Sequence, residues 1–209
     1  MKHLVYITGN LTFADLEAGR VSKVEVLRQL IRNWLFMPAR HLAEMEPVIG
    51  DRYEHGMSLF ALELMFFEPH GQFLSGADSK GKAGETFLLG FERFRVWLTS
   101  NDRIGKDFGV TEARRVRDWA RNGLFHSGYI KDGLLVDIRR SESRPFFKNP
   151  LWDGWLVDPW QLLRDLESYC EAYSQELESQ SDTEHSVLYA SFEKTFDRMV
   201  VAPLATRAP

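Results

Sequence analysis

Cysteine is nearly absent from this chain, whose 209 residues contain only Cys170. A single thiol cannot form an internal disulfide framework or a multi-thiolate zinc site. Helical spacing puts Cys170 on the core stripe of a helix, where we expect a small buried hydrophobic residue rather than a nucleophile. This cysteine usage fits a reducing compartment, so we expect a cytoplasmic protein.

Long apolar runs are absent as well. The longest candidate, residues 57–67, contains Ser58 and Glu63 and is closed by Pro69. A membrane-spanning helix needs roughly 20 apolar residues, and the first residues lack the pattern of a signal peptide. We therefore expect no membrane association.

An excess of positive charge is also lacking, since 26 lysines and arginines face 30 acidic residues and the net charge is −4. Nucleic acid would have to bind to a local basic patch. Hydrophobic residues make up 44% of the chain and include 15 phenylalanines, which suffices for a sizeable core. We expect one domain over residues 1–209.

Common motifs for metals, nucleotides and nucleophiles are missing too. The six histidines are scattered, and neither H-E-x-x-H nor G-x-S-x-G occurs, so we expect no metal and no cofactor. The stretch 76–82 comes close to a phosphate-binding loop. Ala83 stands where that motif needs a hydroxyl, and the preceding residues have helical rather than strand character, so we expect a surface connection.

Apolar periodicity predicts a mainly α fold, a helical bundle of five or six helices. The first begins at a capping box formed by Ser22 and Glu25 and breaks near Pro38, with residues 39–45 as a candidate continuation after a kink. A Phe-rich stripe predicts a helix over 85–99, and an Asp-Pro start predicts a long one after Asp158. The other predicted helices are 53–67, 111–128 and 187–200.

The remaining segments are predicted to be extended or irregular. Short strands or a small β-hairpin insertion are expected at 129–138, 145–148 and 155–157, before the penultimate helix. Residues 1–20 are expected to form an N-terminal arm or short strand, and 201–209 a flexible tail. The proline and glycines of 69–84 predict a flexible connection.

Glu63 and a group of three tryptophans each allow two interpretations. Glu63 is alone in an apolar helix, where a paired carboxylate is more common than a catalyst, and an arginine of the 111–128 helix is a candidate partner. Trp152, Trp155 and Trp160 are able to stack on bases, but packing of the β insertion is the favoured interpretation.

The 111–128 segment has the sharpest polar pattern of the chain. At 100° per residue its apolar residues fall on one arc, and the opposite arc carries Arg114, Arg115, Arg117, Asp118, Arg121, Asn122 and His126. Asp118, Asn122 and His126 are successive i, i+4 neighbours. Arg121 lies about 140° from His126 in a regular helix.

The motif Arg121-Asn122-x-x-x-His126 resembles the Arg-x(4–6)-His motif of the HEPN superfamily (higher eukaryotes and prokaryotes nucleotide-binding). The surroundings over about residues 20–180 are similar to those of the family. They comprise an apolar helix, a Phe-rich helix, the helix that bears the motif, short strands and a final helix after Asp158.

This resemblance implies a helical bundle that forms a homodimer through the motif helices. Active HEPN members are metal-independent endoribonucleases, many of them in toxin–antitoxin or phage-defence systems. The implied roles are acid/base catalysis for His126, phosphate stabilisation for Arg121 and assistance from Asn122. Arg114, Arg115 and Arg117 would hold the RNA backbone, and an antitoxin or other protein is an implied partner.

Two alternatives remain open at the level of sequence. Many HEPN members have lost catalysis and bind a protein, a nucleotide or nucleic acid. In an unrelated helical protein, Arg121 and His126 would only solvate and cap a helix C-terminus, where a histidine is favoured by the helix dipole.

Overall fold

The computed structural model describes residues 5–45, 52–130, 133–138, 143–180 and 186–206. The described chain is mainly helical, which confirms the predicted mainly α class. Its helices are α1 (Phe13–Glu17), α2 (Lys23–Ile31), α3 (Met37–Glu44), α4 (Arg52–Leu64), α5 (Phe67–Ser75), α6 (Ala83–Ser100), α7 (Val110–Arg115), α8 (Asn122–Ser127), α9 (Pro159–Gln180), α10 (Val187–Phe196) and α11 (Ala202–Ala205). Its strands are β1 (Tyr6–Thr8), β2 (Leu11–Thr12), β3 (Leu134–Val136), β4 (Phe146–Lys148) and β5 (Trp155–Val157).

Three π-helical turns join pairs of these helices into longer ones. They are Arg32–Phe36 between α2 and α3, Val116–Arg121 between α7 and α8, and Asp197–Val201 between α10 and α11. Of the two predicted outcomes at Pro38, a break or a continuation over 39–45, the structure shows the continuation, with Pro38 in the first turn of α3. A proline lacks the N–H group and crowds the carbonyl four residues earlier, and the wider π turn just before it makes room for the ring.

The predicted flexible connection over 69–84 is wrong in its first half, because Phe67–Ser75 is helix α5. Pro69 lies in the first turn, where an amide N–H is not needed by the helix. Gly71 lets α5 approach α6 closely, since a Cβ atom there would lie 1.9 Å from the Thr86 carbonyl oxygen. Gly90 of α6 does the same from the other side, with a virtual Cβ 2.1 Å from the Phe67 oxygen.

The core centres on the aromatic stripe of α6. Phe87, Phe91, Phe94 and Leu98 are fully buried, as the periodicity predicts. The Phe67 ring of α5 packs among the three phenylalanines, with centroid distances of 5.5, 4.9 and 5.6 Å. The α5–α6 pair is thus stabilised by aromatic packing as well as by its close glycine contacts.

A three-stranded sheet covers one side of this core. Its strand order is β3-β5-β4, with β3 parallel and β4 antiparallel to β5. Trp155 and Trp160 are buried, and the Trp155 ring lies 4.8 Å from that of Phe108, so both tryptophans pack in the interior. The Asp158 carboxylate then accepts a hydrogen bond from the Gln161 amide and begins α9. Residues 131 and 132 of the predicted extended segment 129–138 lie outside the described residues.

The ends of the chain contribute small elements. β1 and β2 pair antiparallel within the segment expected to be an arm or short strand, and α1 follows with a capping box of Thr12 and Asp15. Phe192 of α10 packs on Phe73 of α5. α11 adds a helical turn in the expected tail, and residues 207–209 lie outside the described part. Every helix in the described part of the chain is too short or too polar to span a lipid bilayer.

Candidate active site on the motif helix

The motif helix is the continuous helix Val110–Ser127 formed by α7, its π turn and α8. Gly109 caps its N-terminus, and the Gly109 backbone amide donates to the Glu112 carboxylate at 3.0 Å. Gly128 caps its C-terminus with a left-handed φ of 74°. The buried positions form the predicted apolar face and are Ala113, Val116, Ala120 and Gly123. This face packs on α4, α6 and β3 and leaves the charged face outward.

Arg121 is held in place by two hydrogen bonds. One guanidinium nitrogen donates to the Glu68 carboxylate at 3.0 Å, and the other donates to the Asn122 side-chain oxygen at 3.0 Å. The Arg121 side chain is 19% exposed. A guanidinium group has five N–H donors, so donors remain for an anionic ligand.

His126 stands apart from this pair. Its side chain is exposed and makes no hydrogen bond to any residue that the structure describes. α8 is regular from Asn122 onward, so the five-residue step from Arg121 carries His126 about 140° round the helix. One chain therefore brings Arg121 and Asn122 together but not His126.

The predicted i, i+4 neighbours Asp118, Asn122 and His126 are not hydrogen-bonded to one another. Asp118 accepts from Arg117 at 2.8 Å, while Asn122 is occupied by Arg121. The π turn Val116–Arg121 contains Asp118 and ends directly before Asn122, so it shifts the helical register that the i, i+4 spacing assumes.

The other arginines of the charged face differ in their availability. Arg114 is exposed and has no ion pair within the described ranges. Arg115 pairs with Glu112 at 3.4 Å and lies over the Trp119 ring at 5.2 Å. The hydrogen bond to Asp118 raises the pKa of the Arg117 guanidinium. Acidic neighbours on the same helix therefore partly neutralise the basic face.

A cavity of about 300 Å³ opens beside Arg121. Its lining comes from α4, α5, α6 and the motif helix and consists of Leu64, Met65, Glu68, Pro69, Gln72, Phe87, Arg121 and Phe125. Leu64 and Phe87 are buried, whereas Met65 is 46% and Phe125 48% exposed. The cavity thus joins one cation and one anion to apolar walls.

The predicted ion pair between Glu63 and an arginine of the motif helix is wrong. Glu63 is fully buried, and neither of its carboxylate oxygens has a hydrogen-bond partner in the described residues. Burial, and secondarily Asp158, raises the pKa of Glu63 well above its usual value. Glu68 makes the expected pair with an arginine instead. It stands directly before Pro69, 53 residues from Arg121, and no local feature of the sequence marks it as the partner of that arginine.

No group of three or more histidine, cysteine and acidic side chains in the described part of the chain is arranged to hold a metal ion. Cys170 is buried as predicted, and burial raises the pKa of its thiol well above the usual value, which makes it a poor nucleophile.

No family model, curated protein or solved structure matches this chain.

Proposed function

We propose that this chain is a HEPN-like, metal-independent endoribonuclease that acts as a homodimer, in the manner of a toxin or phage-defence nuclease. The observation that carries the proposal is the end of the motif helix. It presents a fixed guanidinium, Arg121, at the mouth of a cavity, and an exposed imidazole, His126, on the same helix.

The reaction would use the RNA's own 2′-hydroxyl. One His126 removes its proton, and the 2′-oxygen forms a bond to phosphorus as the bond from phosphorus to the 5′-oxygen breaks. The leaving 5′-oxygen takes a proton from a second imidazole, so the products are a 2′,3′-cyclic phosphate and a 5′-hydroxyl. Each chain offers one such histidine in its motif, and a twofold dimer supplies the second.

Arg121 and Asn122 would hold the reacting phosphate. Arg121 keeps its bond to Glu68 and uses its remaining N–H groups on the phosphorane oxygens. The Asn122 oxygen accepts from Arg121, which leaves its amide N–H groups for the same phosphate. Arg114, which has no ion pair among the described residues, is proposed to hold the RNA backbone, with Arg115 and Arg117 near it on the same helix. The net charge of −4 predicts modest non-specific affinity.

The deciding experiment is cleavage of a mixed structured and single-stranded RNA pool in excess chelator. His126→Ala is expected to lower the rate by at least about 100-fold, while the exposed His41→Ala in α3 leaves it unchanged. Arg121→Ala should also abolish cleavage, and Arg40→Ala, which removes an arginine paired with Glu167, should not. Cleavage that survives in His126→Ala, or that stops in chelator, would reject the mechanism.

A second candidate is a non-catalytic HEPN-like module that binds nucleic acid, a nucleotide or a protein such as an antitoxin. The observation in its favour is that Arg121 is engaged by Glu68 and makes no contact with His126 among the described residues. RNA binding that is lost in Arg121→Ala, without cleavage by either protein, would select this function.

A further inference from the structure

The cavity beside Arg121 combines an apolar interior with one ion pair. Leu64 and Phe87 line it and are buried, whereas Met65, also in its wall, is 46% exposed. Glu68 and Arg121 supply the two charges. An apolar cavity of about 150 Å³ holds benzene, so a volume of about 300 Å³ suffices for a purine base of about eleven heavy atoms.

The Glu68 carboxylate retains acceptor positions for a ligand. One of its oxygens accepts from Arg121 at 3.0 Å, and neither oxygen accepts another hydrogen bond from the described residues. The side chain is 28% exposed and lines the cavity, so these positions are open to a ligand. A carboxylate has about four lone-pair sites and no donor of its own. The ligand group that meets Glu68 therefore has to be a hydrogen-bond donor.

Arg121 sets the requirement at the other end of the ion pair. Its guanidinium donates to Glu68 and to the Asn122 side-chain oxygen, each at 3.0 Å. The remaining N–H groups suit an anionic oxygen. A ligand that spans the pair thus carries a donor at the Glu68 end and an anion at the Arg121 end. A nucleotide has both groups, the donor in its base and the anion in its phosphate.

Among the four RNA bases, guanine is the best complement to a carboxylate. Its Watson–Crick edge carries two adjacent donors, N1–H and the N2 amino group, and both can donate to Glu68. Adenine and cytosine place a ring nitrogen acceptor beside their amino group, and uracil has a single N–H between two carbonyl oxygens. These acceptors would face the carboxylate oxygens without a donor, which costs affinity.

We propose that the Arg121 cavity binds guanine and directs the enzyme to RNA bonds next to a guanosine, with Glu68 as the specificity-determining residue. This inference rests on the proposed function, which places an RNA phosphate at Arg121.

The test measures base preference without cleavage. Pentanucleotides that carry a 2′-O-methyl group on every ribose cannot be cut, and three of them differ only in the central base: UUGUU, UUIUU and UUAUU. Inosine (I) keeps N1–H but lacks the N2 amino group. By fluorescence anisotropy, the full chain is expected to bind UUGUU at least about tenfold more tightly than UUIUU, the effect of one charge-assisted hydrogen bond, and UUAUU more weakly still.

Glu68→Gln keeps an oxygen for Arg121 and replaces the other with an amide NH₂ group. This variant should lose the preference for UUGUU over UUAUU, whereas a purely structural effect on Arg121 would weaken all three probes equally. Glu176→Gln is the matched control, because Glu176 is paired with Arg93 outside the cavity, and it should keep the preference. Equal affinity of wild type for UUGUU and UUAUU, or an unchanged preference in Glu68→Gln, would overturn the proposal.

A filling variant tests the location. Met65→Trp enlarges a wall of the cavity and should remove the guanine preference, and Leu89→Trp at an exposed position of α6 outside it should not. A preference that persists in Met65→Trp would place the base elsewhere and overturn the assignment. Cleavage is scored separately: His126-dependent cutting of RNA without guanine preference in the probes would reject this inference alone. Guanine preference without cutting would reject the ribonuclease and retain the base site.

Discussion

Among single residues, Glu63 carries the clearest energetic cost in the core. Its carboxyl group is fully buried, and neither oxygen is hydrogen-bonded to a described residue. Burial, together with Asp158, raises the pKa of Glu63 well above 4.5. Between the unfolded and folded pKa the native state holds the extra proton, so this group makes stability fall as pH rises through that window.

Replacing Glu63 with methionine should therefore stabilise the protein. The shape of the side chain is retained and an unpaired polar group is removed, so we expect the free energy of unfolding at pH 7 to rise by about 1–3 kcal/mol. The gain should shrink as pH falls toward 4.5, because the carboxyl then costs less. Urea denaturation at several pH values measures this.

Glu54→Met on the exposed first turn of the same helix is the control and should change stability by no more than about 0.5 kcal/mol. A folded Glu63→Met protein that is less stable than wild type at pH 7 would show that Glu63 has a partner in solution.

His70 is expected to act in the opposite direction. Burial and Arg93 lower its pKa from 6.5 to about 3, so the native state holds fewer protons than the unfolded state between these values. Its contribution to stability is complete above pH 6.5 and is lost as pH falls toward 3. His70→Gln removes the titration and should flatten the fall in stability between pH 6.5 and 4. Urea midpoints over that range measure it, with the exposed His41→Gln as control, and an unchanged slope in His70→Gln would contradict the shift.

At the scale of elements, the α5–α6 crossing depends on two glycines that face each other. Gly71→Ala would place a methyl group 1.9 Å from the Thr86 carbonyl oxygen, a backbone atom that cannot move aside cheaply. We expect a loss of about 1–3 kcal/mol or more in unfolding free energy, by thermal or urea denaturation. Gly84→Ala in α6 is the matched control, since its nearest neighbour is the Arg117 side chain at 3.6 Å. It should be neutral or stabilising by up to about 1 kcal/mol, and equal effects of the two substitutions would contradict a close crossing.

The same crossing shows where sequence reasoning reached its limit. The α6 stripe was predictable because Phe87, Phe91 and Phe94 repeat at helical spacing on one buried face. α5 was missed because Pro69 and Gly71 have the local character of helix breakers. What makes them compatible with a helix is first-turn placement for the proline and a facing glycine on another helix, and a single-sequence pattern does not contain the second.

The candidate site, too, is predictable from the sequence only in part. The motif helix, its apolar face and its capped end follow from local sequence. The partner of Arg121 does not, because Glu68 is 53 residues away in the sequence and reaches it only in the tertiary fold. The π turns were also unpredicted, because a single widened turn is too short for hydrophobic periodicity to locate it.

At the scale of the whole molecule, the proposed nuclease needs more than one chain. His126 and Arg121 do not converge within one chain, and Phe125 of the motif helix and Tyr129 just beyond its end are 48% and 57% exposed. Exposed aromatic residues beside a charged site are suited to a self-complementary contact. A twofold axis near this helix end would place two imidazoles and two guanidinium groups in one cleft.

This arrangement makes a prediction about mixed dimers. Wild-type and His126→Ala chains carrying different affinity tags can be co-expressed and their heterodimer isolated by two-step purification. If one imidazole acts as base and the partner's as acid, the heterodimer lacks one of the two and should lose at least about 100-fold of the wild-type cleavage rate. If each chain carried a self-sufficient site, the heterodimer would keep about half the rate.

A doubly tagged wild-type dimer controls for the tags, and Phe125→Asp, which puts a charge on the proposed contact, should yield no heterodimer. Half activity in the heterodimer would rule out a shared cleft while leaving a ribonuclease with one site per chain.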